Sequence, residues 1–250
     1  VYFVPKIPVY MKIALIGYGK MGHMIEEIAT QRGHQISLTI SIDNTEDFTS
    51  ENLAGADVAI EFTAPQIAYD NVRRCLDFGV PVVSGSTGWN ENIEAAKSYC
   101  LQRGGAFLHA SNFSIGVNIF FQLNKLLARL MANQPSYDVT LKEIHHTQKK
   151  DAPSGTAVTL AEQVLANVSY KKAWVNAPAQ TATQLSIVSE RIDPAPGTHF
   201  VKYSSDVDDI EIIHTAHNRK GFALGAVLAA EFLAGKKGVF SMDDVLKLTS

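Results

Sequence analysis

Lys12-Ile-Ala-Leu-Ile-Gly-Tyr-Gly-Lys-Met-Gly22 is the stretch from which the fold of this 250-residue chain is read. Lys12–Ile16 is a short apolar run ending in Gly17, the signature of a buried strand. Gly17-x-Gly19-x-x-Gly22 then leads into Met21–Arg32, where Met21, Met24, Ile25 and Ile28 share one helical face and Gly33 stops the helix. A strand before the glycines and a helix after them turn a weak pattern into a dinucleotide-binding signal. Gly17 permits the tight turn, Gly19 lets the backbone approach a pyrophosphate, and Gly22 allows helix and strand to pack closely. Lys20 and Met21 sit inside this cradle. The plain structural alternative is a βα turn that happens to hold three glycines.

The pattern continues outward. Ile36–Ile42 reads as a second strand ending at Asp43, an acid placed to accept from the adenosine ribose hydroxyls. Further strands are expected at Asp57–Phe62, Val80–Val83 and Ala106–His109, with helices from Pro65 to about Phe78 and over Glu91–Gln102. Strands alternating with helices give a parallel, Rossmann-like α/β sheet with right-handed crossovers. Loops after the strand ends line the ligand crevice of such a sheet. They nominate Phe62 and Thr63, Gly85 and Thr87, and Ser111 and Phe113 as cofactor-binding residues. The acid at Asp43, with Asn44 offering no guanidinium, favours NADH over NADPH; Lys20 leaves NADPH tolerated.

After residue 114 the rhythm changes. Ile115–Met131 is a long helix, Ser136–His145 a strand and Thr156–Asn167 a helix. Gln184–Glu190, His199–Tyr203 and Val207–His214 are closely spaced strands, an α+β arrangement with a mixed or antiparallel sheet. Helices over Gly221–Ala234 and Met242–Leu248 close the chain. The expected organisation is a dinucleotide-binding domain of residues 12–114 and 220–250, and a substrate-binding and oligomerisation domain of residues 115–219. Residues 169–183 read as a linker or mobile loop. Residues 1–10 precede Met11 and read as an upstream or non-native extension without signal-peptide shape.

The net charge of −3 gives no basic footprint for nucleic acid. No apolar run approaches a membrane span. Cys75 and Cys100 lie in helical segments, as expected of a reduced cytoplasmic protein.

The chemistry concentrates in Glu143-Ile-His-His-Thr-Gln-Lys-Lys-Asp-Ala-Pro-Ser-Gly-Thr156. His145 and His146 end a strand with side chains on opposite faces, and Lys149 follows in the loop. A histidine titrates near neutrality and can donate a proton. The turn through Gly155 and Thr156 opens a helix whose N-terminus favours anions. Proton donors beside an anion site suit a small acidic substrate. Asp151 either orients the lysine or forms a turn, and Ser154 caps the helix. Arg219 pairs with a substrate carboxylate or with an interdomain one. No metal is expected, because no His, Cys or carboxylate pair has obvious ligand spacing.

This run, with Gly17-x-Gly-x-Met-Gly22, Phe62-Thr63, Gly85-Ser-Thr-Gly88 and Ser111-Asn-Phe-Ser-Ile-Gly-Val-Asn118, resembles the 4-hydroxy-tetrahydrodipicolinate (dihydrodipicolinate) reductases over nearly the whole chain from Met11. The resemblance implies NAD(P)H-dependent reduction of a cyclic dicarboxylate in the diaminopimelate–lysine pathway. It implies His145 and Lys149 as the catalytic proton donors, and His146, Lys149, Gly155 and Thr156 as substrate ligands. It also implies a homotetramer built through the substrate-domain sheets. The chain departs from the family's usual pattern at Lys20 and at Asp43-Asn44, and is shorter between Asp43 and Asp57 and between Asn167 and Gln184. A different two-domain amino-acid dehydrogenase and a catalytically dead nucleotide sensor are the competing readings. The intact donor cluster argues against both.

Overall fold

The computed structural model describes residues 10–248. In chain order the elements are β1 (Lys12–Ile16), α1 (Lys20–Gln31), β2 (Gln35–Ile40), α2 (Ser50–Leu53), β3 (Val58–Glu61), α3 (Pro65–Asp77), β4 (Val82–Ser84), α4 (Ile93–Arg103) and β5 (Ala106–His109). There follow α5 (Ile115–Met131), β6 (Asp138–His145), α6 (Gly155–Leu165), β7 (Ala173–Val175), β8 (Gln184–Arg191), β9 (Gly197–Ser204) and β10 (Asp209–Ala216). The chain finishes with α7 (Lys220–Leu233), β11 (Gly238–Phe240) and α8 (Met242–Leu246). It divides into two compact units, one running to Ser114 and resuming at Phe222, the other Ile115–Gly221. The reading of residues 1–10 as an extension falls, up to residue 9, outside the described residues.

The first unit carries the expected parallel sheet, six strands in the order β11-β5-β4-β3-β1-β2. Alternate residues of a strand face opposite sides, and here both sides are covered. Ile13, Leu15, Val58 and Ile60 pack under α1, α7 and α8. Ala14, Ile16, Ala59 and Val82 pack under α3 and α4. That is why these strands read as continuous apolar runs. β11, which pairs parallel with β5, was not expected: three residues between helices carry no periodicity of their own. Arg32, just past α1, and His34 both contact Glu231 on α7, at 2.6 and 2.9 Å. Cys75 and Cys100 are free and buried.

The second unit is a mixed sheet ordered β10-β9-β6-β8-β7. β6 runs parallel to β8 and antiparallel to β9. Val139, Leu141, Leu185, Ile187, Val201 and Tyr203 form one sheet face, packed with Phe120 and Ala128 of α5 and with Leu160 and Val164 of α6. The segment read as a loop at 169–183 contains β7 and an anchor. Lys171 is buried, donates to the carbonyls of Ala182 and Gln184 at 2.9 and 2.8 Å, and pairs with Asp138 at 2.5 Å. Polar composition concealed this order, because the segment closes on itself through Ala182 and Gln184 and is tied to Asp138 on β6, none of which leaves a periodic signal.

Candidate active site

The glycine cradle is built as a close-packed turn. Gly17 has φ +100°, and a Cβ there would lie 2.0 Å from the carbonyl oxygen of Phe62. A Cβ on Gly22 would lie 2.6 Å from the carbonyl of Gly17. Gly19, the N-cap of α1, has open space where a side chain would stand. Two glycines therefore serve packing, and one leaves the helix N-terminus accessible. That surface fits a pyrophosphate. Lys20 is exposed, while Met21 packs against the core beneath.

β2 stops at Ile40, whose carbonyl accepts from the N–H of Gly17 at 2.9 Å. The expectation that the strand ends at Asp43 is therefore corrected. Asp43 lies three residues on, exposed, in a turn stapled by Asn44. The Asn44 side chain accepts from the Ser41 N–H at 2.7 Å and donates to the Thr39 carbonyl at 3.0 Å. This side-chain bonding ends the strand early.

The loops after β3 and β4 are held by one buried carboxylate, Glu61. It accepts from Ser84 Oγ at 2.5 Å, Ser86 Oγ at 2.6 Å and the Thr63 N–H at 2.9 Å, and also from the Thr63 hydroxyl. Gly85 fits because the Phe62 ring fills its side-chain space, 2.1 Å from an imagined Cβ. Thr87 and Ser111 are exposed. Phe113, named above as a cofactor ligand, buries its side chain in the core, its ring 5.8 Å from that of Phe62. It is placed to shape the loop rather than to present a ring to a ligand.

In the second unit the buried face of β6 turns from Val139 and Leu141 to Glu143 and His145. His145 Nδ1 lies 3.2 Å from Glu143 Oε2. Both atoms are enclosed, and Glu143 Oε2 also lies 3.8 Å from His199 Nε2. A proton on Nδ1 is the simplest way to satisfy both. Glu143 Oε1 accepts from the Ser154 N–H at 3.0 Å and from Arg191 at 3.1 Å. Burial pushes the Glu143 carboxyl up, but donors from His145, Ser154 and Ser189 outweigh it and hold it well below the usual carboxylate range. His199 stands 3.1 Å from Ser154 Oγ, and burial, then His145, push its pKa down to about 3.

His146, just past the end of β6 and half-buried, accepts at Nε2 from Arg219 at 3.1 Å. Arg219 thus meets a histidine rather than either carboxylate considered for it. Lys149 pairs with Asp151 at 2.8 Å rather than meeting His145. Thr147 bonds Asp193 through its N–H and hydroxyl, at 3.1 and 2.6 Å. Ser154 caps α6, accepting from the Ala157 N–H, and Gly155 and Thr156 form the first turn. Glu143, Arg191, Gly197 and His199 were given no role by sequence. The one available signal was the i, i+2 spacing of Glu143 and His145 on a strand; Arg191 and His199 join them only through strand pairing.

Glu143, His145 and His199 each offer one ligand atom, all within 4.8 Å of one another. Sequence spacing concealed this triad. Arg191 already places a guanidinium on the carboxylate, and a dication beside it would meet like charge. The surroundings favour proton handling over ion binding.

A glycine-cradled parallel sheet and a buried acid–base cluster in a second unit define a two-domain NAD(P)H-dependent oxidoreductase. Family models described as dihydrodipicolinate reductase, N-terminus and C-terminus, match residues 11–113 and 116–246. The chain belongs to the dihydrodipicolinate reductase family. It is 48% identical to a 4-hydroxy-tetrahydrodipicolinate reductase of Christiangramia forsetii, over 94% of this chain and 98% of that one. Identity to the same enzyme of Ralstonia pickettii is 33%, over 95% and 100% of the two chains. A dipicolinate-bound dihydrodipicolinate reductase of Paenisporosarcina sp. TG-14 shares the fold, with a TM-score of 0.75 at 21% identity over 93% of this chain and 98% of that one.

Proposed function

We propose that this chain is an NAD(P)H-dependent reductase that converts 4-hydroxy-tetrahydrodipicolinate to tetrahydrodipicolinate in diaminopimelate and lysine biosynthesis. The observation that carries this is the enclosed Glu143–His145 pair, whose carboxylate accepts from the N–H of Ser154, the N-cap of α6: a proton donor next to an anion site. The cofactor lies on the first unit at Gly17, Gly19, Lys20 and Gly22, with the loops at Thr63, Gly85, Thr87 and Ser111. When bound, reduced nicotinamide supplies the hydride. His145 delivers the proton that balances it, and the hydroxyl group leaves as water. Lys149, His146 and the N–H groups of Gly155 and Thr156 hold the carboxylates and offset the charge that develops on the ring.

NADH is the favoured cofactor. The Asp43 carboxylate is exposed, can accept from ribose hydroxyls, and would repel a 2′-phosphate; Lys20 keeps NADPH usable. The cytoplasm is the site of action. No helix among the described residues is long and apolar enough to cross a membrane.

The chain forms a homotetramer through the sheet face of the second unit opposite its helices. There Val188, Lys142, Phe200 and Ile213 line up in one cross-strand row. Val188 is 40% and Ile213 51% exposed. Phe200→Glu is expected to lower the assembly state in sedimentation; unchanged tetramer would disprove this interface.

The deciding experiment couples the purified protein to the synthase that makes the substrate from pyruvate and aspartate semialdehyde. Oxidation of NADH that depends on both synthase substrates is expected, with a higher kcat/KM than for NADPH. Cofactor binding without any oxidation would leave a nucleotide sensor as the better description.

A further inference from the structure

The geometry points to Nε2 of His145 as the nitrogen that exchanges the proton, with Glu143 as the positioning residue that keeps Nδ1 protonated and Gly197 as the opening that leaves Nε2 accessible. This rests on the reading of His145 as the proton donor.

Nδ1 is the enclosed nitrogen, facing Glu143 Oε2. Nε2 points toward Gly197, where an added Cβ would lie 3.0 Å from it and 3.2 Å from the neighbouring ring carbon. Gly197 pairs across the β9–β10 ladder with Ala216 and has φ +154°. A side chain would strain that backbone and close the space over the ring.

Glu143 cannot be replaced by its amide without changing the proton's place. Oε1 takes two donors, the Ser154 N–H and Arg191. In Glu143→Gln the amide oxygen is needed there, so the NH2 group turns to His145 Nδ1, which must then accept. The acid form of His145 is the imidazolium, with Nδ1–H on the carboxylate. Donation from Nε2–H leaves the neutral Nδ1–H tautomer, and a solvent proton reloads Nε2.

The test is nitrogen NMR of histidine-labelled full-length protein, with His145 assigned by its loss in His145→Gln. In the neutral wild type, Nδ1 should carry the proton and Nε2 should be pyridine-like; the reverse overturns the proposal. Glu143→Gln should invert the two and lower turnover on the order of 10²-fold or more, with NADH affinity unchanged. An uninverted tautomer overturns the positioning role. Gly197→Ala should lower turnover at least about tenfold at constant NADH affinity; wild-type turnover would remove the opening from the argument. If that variant does not fold, the wild-type tautomer still decides. The tautomer is read without substrate, so it survives or fails separately from the reductase reading.

Discussion

Each unit of this protein buries one carboxylate at the end of a central strand, and the two carboxylates are surrounded differently. Glu61 closes β3 among the hydroxyls of Ser84, Ser86 and Thr63. Glu143 lies near the end of β6 among a histidine, a guanidinium and a backbone N–H. Hydroxyl donors hold their protons throughout the physiological range, so Glu61 braces two loops. The His145 imidazole faces Glu143 Oε2 at 3.2 Å, and in the proposed reaction Glu143 positions that ring for proton transfer. On that proposal, the company a buried carboxylate keeps, rather than its burial, separates a brace from a working part.

The sharpest way to break this comparison is to remove the titrating partner. His145→Gln should lower turnover by about 10²–10⁴-fold with unchanged NADH affinity in a fluorescence titration. Wild-type turnover would make Glu143 a brace as well. Glu143→Ala comes next. It strands Arg191 beside an emptied buried site and should cost about 3–5 kcal/mol in denaturant unfolding. Glu61→Ala leaves only neutral donors unpaired. It should cost about 2–3 kcal/mol and weaken NADH binding, while the pH profile of turnover stays put; a shifted profile would erase the distinction.

His199 sharpens the contrast by pH. Its folded pKa is depressed to about 3 from an ordinary 6.5. Between those values the unfolded chain binds the extra proton, so stability is full above about 6.5 and falls as pH drops toward 3. His199→Asn should flatten that part of the stability curve, whereas Glu61→Ala should not. The smallest effect belongs to the Arg32–Glu231 pair, partly exposed at 24% and 17%. Arg32→Ala should cost about 1 kcal/mol and leave turnover alone.

The parallel sheet was legible because its inner strands β1, β3, β4 and β5 are largely buried on both faces and α1 and α3 are amphipathic, local patterns that need no partner to be read. α5 and β5 were placed with their observed boundaries. β7 and β11 were not, because three-residue strands exist only through their neighbours. In the candidate site, His145, His146, Lys149 and the α6 turn could be read from one run of sequence. The partners of Glu143 could not. Arg191 lies on β8 and His199 on β9, and only the strand register brings them to β6.

Sequence by itself determined the fold class, the cradle's glycines and the donor-rich run, since each is written in residue type and spacing along a single segment. Tertiary structure decided the rest. It assigned which histidine faces inward, gave Lys149 to Asp151 and Arg219 to His146, moved Phe113 into the core, and ended β2 before Asp43. Hydrogen-bond partners and burial are properties of segments brought together, and many long-range pairings are compatible with one local pattern until packing selects among them.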